Sequence, residues 1–241
     1  MKLSSTKCDQ STCFLCQFVL KSWQPLIALN KKNFEFKKGQ QIFKEGDPVN
    51  GIYFVYEGKV KVHKYWDEEK EFIVRFANKG DILGHLGLGT ENFYPVSATA
   101  LEKVVVCYLE MDFFESTLEV NNKLTYNLMH FFANELQNTD RRMRDLAHMT
   151  VKARIAQSFV SLKNQFGVDE NNFINLEITR QDLSAFSGVS YETFFKVMVE
   201  LNEQNCVVAV DKRYKIINEP LLLKIIQDDQ QKQDAKRKLK L

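Results

Sequence analysis

Four prolines and ten glycines in 241 residues are too few for a collagen-like or linker-type chain. The longest apolar runs, such as Val104 to Leu109, fall far short of the ~20 residues that a membrane helix needs, so no membrane partner is expected. A surplus of charge is missing as well, since thirty-three Lys+Arg stand against thirty-one Asp+Glu, a net charge of +2. That balance excludes a polybasic coat, and any basic surface must be local. Five cysteines, an odd number, argue against a disulfide scaffold and leave metal or redox use open. The stretch from Met1 to Thr6 runs into Cys8 without the apolar core of a signal peptide, which implies a cytoplasmic protein. At 44% hydrophobic and 27% charged, the chain can bury a core as one large domain or two small ones.

From Phe34 to Leu109 the sequence reads as short strands cut by glycine turns. Phe34-Glu35-Phe36, Ile42-Phe43, Ile52 to Tyr56 and Val60 to Tyr65 are separated by Gly39, Gly46 and Gly58, and Gly80 and Gly84 follow at further turn positions. Val60 and Val62, then Phe72, Val74 and Phe76, alternate with polar residues as half-buried strands do. A closed or nearly closed β-barrel is the economical arrangement. After Met111 the period becomes helical for about forty residues. Leu136, Thr139, Met143, Leu146 and Thr150 step by three and four, the seam of a coiled coil. With Leu128 and Phe132 upstream, the spacing predicts a homodimer through this helix; the charges of Arg141, Arg142 and Arg144 are expected to be solvated surface.

A second helix is predicted over about Val151 to Phe166, ending at Gly167. Two helix starts then follow closely, Thr179 with Asp182 and Ser190 with Thr193, separated by Ser187-Gly188-Val189. Helix, tight glycine turn, helix is a helix-turn-helix pattern. Val207 to Val210, Asp211-Lys212-Arg213 and Tyr214 to Ile217 read as a hairpin with a cationic turn, a wing. The tail from Asp228 is Gln, Lys and Asp with few apolar residues and is expected to be extended or frayed.

Barrel, long helix and winged helix-turn-helix in this order resemble the layout of the CRP/FNR superfamily of bacterial transcription regulators. The run from Phe36 to Asp47, followed by Tyr53 to Val62, is similar to the barrel of cyclic-nucleotide-binding-like domains; Ile178 to Gly188 and Glu192 to Lys196 resemble the superfamily's DNA-reading unit. The resemblance implies an α+β protein: a Cys-rich segment and sensor barrel (jelly roll) over 1–111, a dimerisation helix over 112–148, a DNA-binding domain over 149–226 and a polar tail over 227–241. It also implies a two-fold symmetric DNA site, with RNA polymerase as a partner if the protein activates.

Cyclic-AMP-binding members place a Glu after a Gly for the ribose and an Arg before a Ser-Ala pair for the phosphate. Here Gly84 is followed by His85 and Leu86, and Ser97-Ala98 is preceded by Val96. With both charged partners missing, a buried phosphodiester would lack a counter-charge, and cyclic nucleotide binding is not expected at this candidate effector pocket. Other members sense through an iron–sulfur cluster held by four thiolates. Cys8, Cys13 and Cys16 lie in a C-x4-C-x2-C pattern, and Ala100-Leu101-Glu102 leading to Cys107 resembles the segment that delivers the distant ligand in the FNR oxygen sensor. The resemblance therefore implies a [4Fe-4S] cluster on Cys8, Cys13, Cys16 and Cys107, although the oxygen sensor's own trio is C-x2-C-x5-C. Zinc, thiol redox chemistry, and haem or a small effector in the barrel are alternatives.

The four histidines, His63, His85, His130 and His148, lack a nearby nucleophile or metal-spaced partner, and no phosphate loop occurs. An enzyme is not expected. For DNA, the resemblance puts Glu192 and Lys196 at base edges, where a carboxylate accepts from cytosine and a cation donates to guanine. Ser190, Tyr191 and Phe195 share those exposed turns, with thymine-methyl contact one use for the two aromatics and packing on the barrel in the unbound state the other. Thr179, Arg180, Lys212 and Arg213 are expected to contact phosphates.

Overall fold

The computed structural model describes residues 2–3, 13–67 and 70–238. It divides into two compact units, 1–135 and 136–241.

The first unit contains β1 (Lys2–Leu3), α1 (Phe14–Phe18), α2 (Gln24–Asn30), β2 (Lys32–Phe36), β3 (Gln41–Phe43), β4 (Gly51–Glu57), β5 (Val60–Tyr65), β6 (Glu71–Ala77), β7 (Ile82–Leu83), a 3-10 turn (His85–Leu88), β8 (Ser97–Ala100), β9 (Val104–Glu110), α3 (Met111–Val120) and the first half of α4 (Asn122–His148). Its strands form two antiparallel sheets, ordered β1-β2-β9-β4-β7 and β3-β8-β5-β6. All five glycines read as turns have positive φ. Gly58 is the most constrained, because at φ +89° an added Cβ would also lie 2.4 Å from the Lys103 carbonyl oxygen.

The near-continuous apolar runs of β4 and β9 have a physical cause, which is that both faces of their sheet are covered. Tyr53, Val55, Val104, Val106 and Tyr108 point into the barrel with Phe34, Phe36 and Phe43. Ile52, Phe54, Cys107 and Leu109 face outward, against Leu15, Val19, Ile27, Phe114, Leu124 and Leu128 from the helical layer.

Two expectations for this unit need correction. The alternation of Phe72, Val74 and Phe76 does not hold, since a register shift in the β5–β6 pairing skips Val74, leaving Ile73 and Phe76 buried and Phe72 and Val74 half-buried. The helical stretch after Met111 is two helices. Asn121 breaks it, with its fully buried side chain accepting from the Leu20 N–H at 2.8 Å and donating to the Thr117 carbonyl at 2.8 Å. One amide thus satisfies both a helix end and the segment carrying α1.

The second unit comprises the rest of α4, α5 (Val151–Phe166), α6 (Arg180–Ser187), α7 (Tyr191–Glu203), the hairpin β10 (Val207–Val210) and β11 (Arg213–Ile216), and α8 (Glu219–Lys238). Gly167 ends α5 at φ +68°. Over 228–238 the tail continues α8 rather than being extended or frayed: α8 packs along α5, with Leu222 and Ile226 buried just ahead of the tail and Asp229 buried within it, and Asp229 Oδ2 accepts from the Thr150 N–H at 3.2 Å. None of the helices described is long and apolar enough to cross a membrane.

Candidate nucleic-acid interface and cysteine layer

The reading head is built by local chemistry. Thr179 Oγ1 accepts from the Asp182 N–H at 3.0 Å while Asp182 Oδ2 accepts from the Thr179 N–H at 3.1 Å, a reciprocal box that starts α6. Gly188, at φ +65°, closes that helix, and Ser190 Oγ then accepts from the Thr193 N–H at 3.3 Å to start α7. Phe194, Met198 and Leu201 bury one face of α7, which leaves Tyr191, Glu192, Phe195 and Lys196 exposed on its first two turns.

The wing turns through Asp211-Lys212, with Val210 paired to Arg213 and Asp211 at φ +55°. An open notch of about 480 Å³ is lined by Thr179, Arg180, Gln181, Tyr191, Asp211 and Lys212. Arg180 and Lys212 are exposed there. Two of the cation and hydroxyl assignments shift. Arg213 pairs with Asp169 and lies 4.4 Å from the Phe173 ring centroid, so it braces the wing. The Thr179 hydroxyl is committed to the capping box, donating to Asp182 Oδ2 at 2.5 Å.

Sequence reasoning missed two arginines that fasten the reading head. Arg142, expected to be solvated, donates to the Phe186 carbonyl at 2.7 Å and stacks 4.7 Å from that ring's centroid; burial pulls its guanidinium down to about 10. Arg154 donates to the Leu146 carbonyl at 2.9 Å and the Gly188 carbonyl at 3.3 Å. Together they tie the end of α4 to α6 and the turn after it. Their acceptors are backbone carbonyls of residues distant in sequence, so no side-chain pattern announces them.

On α4, Leu128 is 4% exposed and belongs to the core of its own unit, not to the seam read from the sequence. The exposed ridge is Met129, Leu136 and Met143, at 58%, 64% and 57%, a strict seven-residue spacing with Phe132 and Thr139 between them and Leu146 three residues beyond. Met129 is the missed member, and its heptad distance from Leu136 is the signal that finds it.

The five residues proposed to line an effector pocket do not share one environment. Val96 is buried in the barrel core, and Ser97 Oγ accepts from the Glu45 N–H at 2.9 Å. Gly84 backs onto Tyr94, Leu86 is exposed, and His85 is buried against Phe131 and Phe132 of α4 with ring centroids 5.0 and 5.6 Å apart. Aromatic rings fill the barrel: Phe43 stacks on Tyr94 at 4.2 Å and on Tyr53 at 5.5 Å, and Tyr53 meets Tyr108 at 5.0 Å. The Tyr94 and Tyr108 hydroxyls donate to the Gly51 and Asn50 carbonyls at 2.6 and 2.7 Å. Burial raises all three phenols, Tyr108 to about 12, so they stay neutral.

Arg75 joins the barrel to the first half of α4, with Nε 3.5 Å from Glu135 Oε2 and Nη1 3.9 Å from Asp81. His85 Nε2 is 3.9 Å from the same Glu135 oxygen. His63 is buried, with Nε2 2.8 Å from Thr99 Oγ1 and Nδ1 2.9 Å from Glu71 Oε1. Burial alone would raise the Glu71 carboxyl, but hydrogen bonds from His63 and Lys61 outweigh it and hold the group down at about 2.

Cys13 and Cys107 are buried in the same apolar cluster and Cys16 is half-buried against it. Cys8 lies outside the described residues. Among those described, no three His, Cys, Asp or Glu side chains are assembled to hold a metal. Three thiols in one apolar layer nevertheless suit iron–sulfur or zinc, both of which take thiolate. Cys206, the remaining cysteine, is fully buried in the second unit where α7 gives way to β10, and burial raises its thiol.

A barrel of two antiparallel sheets together with a winged helix-turn-helix is the architecture of a DNA-binding transcription regulator, and the comparisons agree. The cyclic nucleotide-binding domain family matches residues 33–121, and the Crp-like helix-turn-helix domain family matches residues 153–225. The cAMP-activated global transcriptional regulator CRP of Salmonella typhimurium is 31% identical over 173 residues, 70% of this chain and 81% of that protein. The anaerobic regulatory protein of Bacillus subtilis is 28% identical over 186 residues, 76% of this chain and 78% of the relative. FixK2 from Bradyrhizobium japonicum superposes with a TM-score of 0.71 at 20% identity, covering 81% of this chain and 96% of its own. The chain belongs to the CRP/FNR superfamily of bacterial transcription regulators.

Proposed function

We propose that the protein is a homodimeric, operator-specific regulator of the FNR-like branch, whose DNA binding responds to oxidants through a [4Fe-4S] cluster held by Cys8, Cys13, Cys16 and Cys107. The observation that carries the sensory part is that Cys13, Cys16 and Cys107 all belong to or pack on the apolar cluster formed by β9 and the helices α1, α3 and α4, although they are not assembled as a metal-holding group among the described residues. When bound, such a cluster supplies reactivity toward oxygen, nitric oxide or peroxide. The chain's own residues do the rest: the layer excludes water, and it is shared with Leu124 and Leu128 of α4, the helix that carries the dimer ridge. Loss of ligation at Cys107 therefore loosens the packing that sets the pose of α4. A relative named for anaerobic regulation supports the same signal class. The aromatic filling of the barrel favours this reading over a cyclic nucleotide, because Phe43, Tyr53, Tyr94 and Tyr108 occupy the interior and Val96 stands where the phosphate cation would be.

For DNA, Glu192 and Lys196 read base edges while Arg180 and Lys212 hold phosphates, with RNA polymerase a partner if the protein activates. Lys196 lacks the rigid fork of an arginine and discriminates less. Selection from a random duplex library should return two inverted half-sites about one helical turn apart. In that assay Glu192→Ala relaxes one base pair of each half-site, at about 1–3 kcal/mol, without a uniform loss of affinity. Uniform weakening with unchanged preference would remove Glu192 from base reading.

A further inference from the structure

Tyr191 and Phe195 are 46% and 45% exposed on the first two turns of α7, one helical turn apart, and Val199, at 44%, continues the ridge. Large aromatics are costly to leave in water, and Tyr191 itself lines the notch that contains Arg180 and Lys212. The Arg180 guanidinium lies 5.9 Å from the Phe195 ring centroid, steadying that ring beside a cation suited to a phosphate. Lys196 and Glu192 flank the ridge on the same exposed turns. Apolar side chains framed by cations on a DNA-reading helix need an apolar feature in the groove, and the major groove of B-DNA offers one, the C5-methyl of thymine. Against a G·C pair the same rings would cover hydrogen-bonding edges without pairing them.

We propose that Tyr191 and Phe195 are specificity determinants that pack on thymine methyl groups, so that each operator half-site carries thymines next to the base pair read by Glu192. The proposal rests on the DNA-reading role given to α7 above and adds the chemistry of the bases it selects.

Deoxyuridine lacks only that methyl, so it isolates the contact. Using the full-length protein and the duplex recovered by site selection, each thymine of a half-site is replaced singly by deoxyuridine and the affinity measured. Wild-type protein should lose about fourfold at one or two positions, the worth of one buried methyl group. Phe195→Ser should bind the thymine and uracil duplexes alike at one of those positions, and Tyr191→Ser at the other. Both side chains are exposed, so neither change threatens the fold. A variant effect that came only from freeing Arg180 would lower affinity for both duplexes and leave the methyl sensitivity intact. Uracil tolerated at every position, or undiminished sensitivity in both variants, overturns the inference while leaving sequence-specific binding standing. Failure to select any sequence overturns both.

Discussion

Glutamate placed together at Leu136 and Met143 should turn the protein into monomers that no longer bind their operator specifically. Both side chains are more than half exposed in the single chain, so neither supports its own unit, and helical content should be unchanged. Between two copies of α4 each would bury most of a large apolar side chain, worth about 1.5–3 kcal/mol apiece. Four opposed glutamates at the same seam would replace that gain with like-charge repulsion in a partly desolvated setting. The consequence for DNA is larger than for association, because a dimer binds its second half-site as an intramolecular event. Losing that coupling removes roughly a hundredfold to ten-thousandfold in affinity. Sedimentation analysis gives the mass and an operator titration gives the affinity. A dimer of unchanged mass would mean that the Met129–Leu136–Met143 ridge is not the interface.

Acid should destabilise the first unit through His85. An unfolded histidine has a pKa near 6.5; burial, with the nearby Arg75 charge adding to it, pulls His85 down to about 3. Below pH 6.5 the unfolded chain thus binds a proton that the folded chain refuses. The contribution is whole above pH 6.5 and is lost progressively as pH falls toward 3, at about 1.4 kcal/mol per pH unit, or about 2 kcal/mol at pH 5. Of the charged groups around this histidine, Arg75 acts on it directly and Glu135 Oε2 lies 3.9 Å from Nε2, while Asp81 pairs with Arg75. Burial raises the Asp81 carboxyl, which acts in the opposite sense as pH falls, so the readout is a comparison. Urea unfolding of wild type and His85→Gln at fixed protein concentration, between pH 7 and 5, should show the variant losing stability less steeply by about that amount. Parallel slopes would mean that His85 is protonated in the folded protein. The position matters for function because His85 and Arg75 are where the barrel meets Phe131, Phe132 and Glu135 of α4.

What the sequence disclosed was whatever local chemistry decides. The turn glycines of the barrel, the Thr179–Asp182 box, the Ser190 cap and the wing turn each depend on residues within a few positions, and each stands where the sequence put it. What stayed hidden depends on partners far along the chain. Asn121 breaks the helix after Met111 by bonding to Leu20, and Arg142 and Arg154 reach carbonyls of Phe186 and Gly188. The polar tail looks featureless in sequence because it continues a helix whose apolar anchors, Leu222 and Ile226, precede it, and its own anchor, Asp229, matters only once α5 lies beneath it. Leu128 was assigned to the seam since a helical period marks an apolar stripe without saying whether its own barrel or a second chain covers it. The candidate effector positions are dispersed for a related reason: adjacency in sequence places Val96 inside the barrel and Ser97 at its bond to the Glu45 N–H, while His85 turns toward α4.

One experiment bears on the central claim, that cysteines around Cys107 govern DNA binding. Protein prepared and reconstituted without oxygen is assayed for iron and acid-labile sulfide, titrated against its selected operator, then titrated again after exposure to air. The account predicts about four irons and four sulfides per chain, operator binding that falls on aeration as the iron is lost, loss of iron in Cys107→Ser and its retention in Cys206→Ser. Protein that carries no iron or sulfide under those conditions, or whose operator affinity ignores their loss, would contradict it.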